Sequence, residues 1–179
     1  MKNIRLLDCT LRDGGRIIDC AFPDEETKDI SKRLAKAGVD IIEVGFLRDH
    51  RDVSYTGNST FFTDADQIAP FVDRAYEDVL YTAFIDYGMF DFDSLKPCND
   101  NSINAIRFGF TKRNYDEHKE EIIECCRVIK EKGYKLYVQP VDILGYTDAE
   151  LLDLIEDVNS LEPYAFSIVD TFGSLYKDD

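Results

Sequence analysis

The sequence predicts an α/β chain folded as a (β/α) barrel, on three observations. Short apolar runs with strand character alternate with amphipathic helical runs along the whole length. The runs recur every ~25 to 40 residues, the spacing that parallel strands joined by crossover helices require. Charged and hydroxylated residues collect at the C-terminal ends of the predicted strands, the face on which such barrels carry their sites. An open doubly wound sheet fits the same alternation. Its first strand-to-helix turn, however, reads Arg12-Asp13-Gly14-Gly15-Arg16 and holds no GxGxxG fingerprint, which weighs against a dinucleotide-binding sheet.

The opening run, Leu6 to Asp13, reads as a strand entering a glycine turn at Gly14-Gly15. Strand alternation places Leu7, Cys9 and Leu11 on one face and Asp8, Thr10 and Arg12 on the other. A loop from Arg16 to Phe22 leads to a helix start at Pro23-Asp24-Glu25-Glu26, with Asp24 as its cap and Gly38 ending it. The second strand is Val39 to Phe46. A loop from Leu47 to Thr63 precedes a helix over Ala65 to Tyr76, and strands follow at Val79 to Asp86 and Ala105 to Phe110, with a short helix between them in Phe90 to Ser102. Tyr115 to Glu131 reads as a helix with apolar positions at Ile122, Ile123, Cys126, Val128 and Ile129, and Gly133 closes it. The fifth strand is Lys135 to Leu144. Thr147-Asp148-Ala149-Glu150 is a capping box for a helix through Val158, and the sixth strand is Tyr164 to Thr171.

The chain has 179 residues, is 44% apolar and 32% charged, and shows no linker or composition shift, which predicts a single domain over 1–179. A full barrel takes about 250 residues, so six of its strands and a truncation after the sixth are expected. A net charge of −15 with no basic run argues against nucleic acid and anionic membrane surfaces as partners. Five cysteines without a CxxC pair argue against a disulfide framework and for a reducing, cytoplasmic setting. Open edges at the first and last strands predict a homo-oligomer or coverage by other elements.

The strand ends gather Arg12, Asp13, Glu43, Asp86, Thr111, Asp142, Asp170 and Thr171. Several carboxylates at one mouth suit a hard divalent cation and an oxygen-rich substrate. Against this stands a structural reading in which Arg12 pairs with Glu43 or Asp170 as a buried ion pair.

The run Leu7-Asp8-Cys9-Thr10-Leu11-Arg12-Asp13-Gly14 resembles the N-terminal signature of the hydroxymethylglutaryl-CoA-lyase-like superfamily, the DRE-TIM metallolyases with a TIM-type barrel. Ile42-Glu43-Val44-Gly45-Phe46 and Val169-Asp170-Thr171-Phe172-Gly173 resemble its second and sixth strands. The double glycine looks nearest to 4-hydroxy-2-oxovalerate aldolase-like members; the synthases of the group put Glu-Gln after the first glycine. The resemblance implies a metal-dependent carbon–carbon lyase that cleaves a 4-hydroxy-2-oxo acid to pyruvate and an aldehyde through an enolate. An aldehyde dehydrogenase is the partner it suggests.

Carried over, Asp13 is a ligand of Mn²⁺ or Mg²⁺ (Zn²⁺ less so), Arg12 stabilises the enolate oxygen, Glu43 orders the network, and Asp170 and Thr171 stand at the same mouth. Two departures matter. The family's His-x-His metal ligands on the seventh barrel strand are absent, since the chain has two histidines, His50 and His118. Arg16 occupies the place where the aldolases keep a base histidine; an arginine is no base near neutral pH, but it can hold a substrate carboxylate or phosphate. His50 follows the second strand on the presumed active face and is a candidate substrate contact, whereas His118 reads as a solvated helix position. The alternatives are an acetyl-CoA-dependent Claisen-type synthase of the same superfamily, a non-catalytic barrel remnant serving as a subunit or binding module, and a phosphate-recognising module using Arg12, Arg16 and Arg107, against which the acidic balance weighs.

Overall fold

All strand pairings in the computed structural model are parallel. It describes residues 4–49 and 57–176. The strands are β1 (Leu7–Asp8), β2 (Ile41–Leu47), β3 (Phe61–Phe62), β4 (Leu80–Asp86), β5 (Ala105–Phe110), β6 (Lys135–Pro140) and β7 (Ala165–Phe166). The helices are α1 (Asp24–Lys36), α2 (Lys112–Glu131) and α3 (Asp148–Ser160). Six strands lie in the order β1-β2-β4-β5-β6-β7, and β3 pairs beside β2.

Strand order therefore rises in one direction without reversal. A doubly wound sheet reverses at a switch point and carries helices on both faces. Right-handed crossovers that always step the same way put every helix on one face and leave the other as a barrel interior. The packing agrees. Ile42, Val44, Tyr81, Ala83, Ile85, Ile106, Phe108, Leu136 and Val138 face outward and pack with Ala35 of α1, Ile122 and Ile129 of α2, and Leu154 of α3. The opposite face begins with a separate apolar layer of Ile41, Leu80, Ala105 and Tyr137, joined by Leu7 and Ala165. The fold is the expected (β/α) barrel, as an arc of six strands.

Local chemistry explains where the expected boundaries moved. β1 stops at Asp8 because that carboxylate accepts from the Thr10 N–H at 2.9 Å and from its hydroxyl at 3.1 Å, a local turn that competes with the ladder. The N–H groups of Arg12, Asp13 and Gly14 then all donate to the Cys9 carbonyl, so the expected alternation through Arg12 is lost. Leu11 and Arg12 are neighbours and both are buried. Asp24 is the first residue of α1 rather than its cap; its carboxylate accepts from the Asn58 N–H at 2.8 Å. The helix expected over Ala65 to Tyr76 is a 3-10 turn, Ala65–Phe71, with Pro70 inside it.

α2 starts three residues early because Thr111 and Asn114 form a capping box. The fifth strand ends at Pro140 instead of Leu144, and Asp142 takes a left-handed φ of 56°. The sixth expected strand pairs regularly over Ala165–Phe166 alone, after which Ser167 N–H still donates to the Val138 carbonyl. β3 was expected as loop. It lies against β2 where Gly45 makes room: a Cβ there would sit 2.1 Å from the Thr60 carbonyl oxygen. No helix of the described residues is long and apolar enough to cross a membrane.

Candidate active site at the C-terminal ends of the strands

Above the apolar inner layer the same face turns polar. A register shift in β2 between Glu43 and Gly45 leaves Glu43 opposite Thr82 and Phe46 opposite Phe84, so both β2 side chains point inward although three positions apart. Glu43 is completely buried. Its Oε2 accepts from Arg12 Nε at 2.5 Å, and its Oε1 accepts from Arg107 Nη1 at 2.7 Å. Arg107 also donates through Nη2 to Gln139 Oε1 and through Nη1 to Cys9 Sγ at 3.3 Å. One carboxylate thus clamps two guanidiniums, each 7% exposed. Burial alone would lower the Arg12 pKa, but the Glu43 carboxylate more than offsets it and holds the group above its ordinary value. Burial, then the nearby Glu43 charge, pushes the Cys9 thiol up to about 11.

The Arg12 guanidinium lies over the Phe84 ring, 4.6 Å from its centroid, in a cation–π contact. Phe84 in turn fills the space left by Gly109, where a Cβ would lie 2.3 Å from its Cζ. Arg12 Nη1 reaches the rim, donating to Asp13 Oδ1 at 2.8 Å, and Arg16 Nε donates to the same oxygen at 3.2 Å. A cleft of about 540 Å³ opens here, walled by Arg12, Asp13, Arg16, Phe84, Asp86 and Gln139 on one side and Val169, Asp170 and Thr171 on the other.

Arg12, Asp13, Arg16, Asp86, Asp170 and Thr171, all expected from the sequence, therefore meet at this cleft, with Glu43 beneath it. Asp170 and Thr171 line it, yet their polar atoms are engaged. The Asp170 carboxylate accepts from the Ser174 and Leu175 N–H groups at 2.8 and 3.0 Å, bonds that hold its pKa below the usual carboxylate range. Thr171 Oγ1 accepts from the Asp142 N–H at 2.7 Å. His50 lies outside the described residues. His118 sits at a kink in α2 with its side chain half exposed, as a solvated position would. The buried Arg12–Glu43 pair, set out above as the structural reading, is present and coexists with an open cleft.

The carboxylates expected to converge on a cation do not. Asp86 pairs with Arg48 at 3.3 Å, Asp170 is tied to backbone, and Glu43 is enclosed by arginines. Among the described residues no three His, Cys, Asp or Glu gather in a set that could hold a metal ion. Asp13 Oδ2 makes no hydrogen bond among them, but a single carboxylate facing two guanidiniums does not by itself fit a divalent ion. Arg107 and Gln139 were not singled out with Glu43 from the sequence. The available signal was parity: in β5 and β6 they alternate with the outward Ile106, Phe108 and Val138, so each marks a polar inner position.

The chain is thus a singly wound parallel barrel arc with an arginine–carboxylate mouth. The HMGL-like family model matches residues 3–178, and the chain belongs to that family. It is similar to probable 2-isopropylmalate synthases from Methanosarcina acetivorans (24% identity over 96% of this chain and 32% of that protein) and Archaeoglobus fulgidus (27% over 97% and 33%). A stretch of 26% of the chain is 48% identical to the 2-isopropylmalate synthase of Acetivibrio thermocellus, of which it covers 9%. The chain spans about a third of the length of the first two relatives. These relatives carry the synthase name, where an aldolase-like neighbour was expected. Members of the superfamily generally use a divalent metal, which here would need donors beyond Asp13.

Proposed function

We propose that the cleft stabilises the negative charge that develops on an oxygen of a 2-oxo acid while a carbon–carbon bond is made or broken. The observation that carries this is the Glu43 clamp. A completely buried carboxylate fixes Arg12 under an open cleft, so a permanent positive charge is aimed at the ligand before it arrives. Such preorganised charge needs little reorganisation during reaction. Phe84 backs the guanidinium from one side, and Asp13 orients its Nη1 at the rim.

The direction favoured by the relatives' names is condensation: a Claisen-type synthase in which acetyl-CoA adds to the 2-oxo acid. Aldol cleavage of a 4-hydroxy-2-oxo acid is the second reading, and one contact favours it. A Cβ at Gly15 would lie 3.1 Å from Cys20 Sγ and 3.3 Å from the Phe22 ring, so the glutamate that the synthases place there does not fit without a shift. Two assays on the full-length protein separate the readings: release of the CoA thiol from acetyl-CoA with a panel of 2-oxo acids, and release of pyruvate from 4-hydroxy-2-oxo acids. In whichever is positive, Arg12→Lys is expected to lower kcat about 10² to 10³-fold. Full activity in that variant would remove the role given to Arg12.

A further inference from the structure

We infer that Arg16 forms a second anion subsite and that the 2-oxo acid taken by this cleft carries a second anionic group, a carboxylate or a phosphate, at its far end. The inference rests on the reading that the oxo acid sits at Arg12. It comes from the different ways the two rim arginines are used. Arg12 is committed: its Nε and Nη1 are bound to Glu43 and Asp13, and its guanidinium is stacked on Phe84. Arg16 spends one nitrogen, Nε, on Asp13, while its two terminal nitrogens make no hydrogen bond among the described residues. Its side chain is 54% exposed and walls the cleft.

Arg16 is nevertheless not a free surface arginine. Its guanidinium lies 5.1 Å from the centroid of Phe46, a ring buried completely in β2, so the fork is braced from below and from the side. A guanidinium fork with both terminal nitrogens open matches the two oxygens of a carboxylate, or two of a phosphate. Arg48 lies over the same Phe46 ring at 4.9 Å while its guanidinium is paired with Asp86 at 3.3 Å.

The spacing limits the ligand. Arg12 Nη1 and Arg16 Nε share Asp13 Oδ1, so they lie at most about 6 Å apart, the length of the two bonds end to end. A short 2-oxo diacid spans such a pair, with its oxo end at Arg12 and its distal anion at Arg16. A long acyl chain has no use for the second charge.

The test is calorimetric titration of the full-length protein and its Arg16→Gln variant with three probes at low salt: pyruvate, 2-oxoglutarate and phosphonopyruvate. The expected result is that at least one dianion binds the parent protein about tenfold or more tightly than pyruvate. In Arg16→Gln that ratio should fall to about one while the pyruvate affinity stays within twofold. Which dianion gains the tenfold tells carboxylate from phosphate. Equal affinity for all three probes in the parent protein, or a preference that survives in Arg16→Gln, overturns the subsite. Arg16-dependent binding of the dianions without any binding of pyruvate keeps the subsite and overturns the placement of the oxo acid at Arg12. No binding of any probe overturns both.

Discussion

At the scale of single residues, Glu43 decides how the site is held. Its two oxygens share one negative charge between two buried guanidiniums that have no other carboxylate at comparable distance among the described residues, apart from Asp13 at the rim. Removing one partner of a buried ion pair leaves charge stranded away from water. Glu43→Gln keeps the shape and loses the charge, so it is expected to destabilise the fold by about 3 kcal/mol. Urea unfolding would show this as a lower midpoint at an unchanged slope; an unshifted midpoint would mean that Arg12 and Arg107 find other compensation. Arg12, Asp13 and Glu43 were legible in the sequence because a local motif carries them. The joining of Arg107 and Gln139 to Glu43 was not, because it depends on the order and register of β2, β4, β5 and β6, and nothing local encodes that.

At the scale of elements, the inner face is shaped by missing side chains as much as by present ones. Phe84 occupies the hollow of Gly109 and in doing so sets the floor on which Arg12 rests. Gly109→Ala puts a methyl into that ring, and overpacking of this kind costs about 1 to 3 kcal/mol. The same variant should weaken ligand binding at Arg12, since the ring must move. Combining it with Phe84→Leu should return part of the lost stability, whereas simple additivity in the double mutant would show that the two do not touch. Elements with strong local signals were the ones the sequence disclosed well. α3 has a complete capping box at Thr147 and Glu150, and β5 was read to its ends. β1 and β7 were overextended because two-residue pairings at the ends of a sheet are set by neighbours and not by β-propensity. The segment expected as a helix over Ala65 to Tyr76 is a 3-10 turn that ends at Phe71, where Pro70 supplies no N–H to continue it.

At the scale of the whole molecule, the two faces of the sheet have different chemistry, and the thiols report on it. All five cysteines are free. Burial raises each of them, Cys9 to about 11, Cys125 and Cys126 to about 12, and Cys20 and Cys98 in the same direction. Thiolate is the reactive form, so iodoacetamide should label the native protein far more slowly at pH 8 than the urea-unfolded chain. The linkage follows the same sign. Thiols that ionise near 9 when unfolded and at 11 to 12 when folded favour the native state below pH 9, and that contribution is lost as the pH rises from 9 toward 12. Rapid labelling of the native protein at pH 8 would contradict the burial assigned to Cys9 and Cys126.

The unreversed strand order also has a consequence for how the protein is made. Each strand pairs with one already behind it in the chain, so the arc can grow unit by unit as it leaves the ribosome. Arg12 can meet Glu43 once β1 and β2 have paired, but the second oxygen of Glu43 waits for Arg107 on β5, and Arg107 waits for Gln139 on β6. Until β5 emerges, Glu43 therefore has Arg12 as its guanidinium partner and awaits the second. The surplus positive charge of the cluster appears only when Arg107 joins it, and Gln139 then takes up that guanidinium's Nη2.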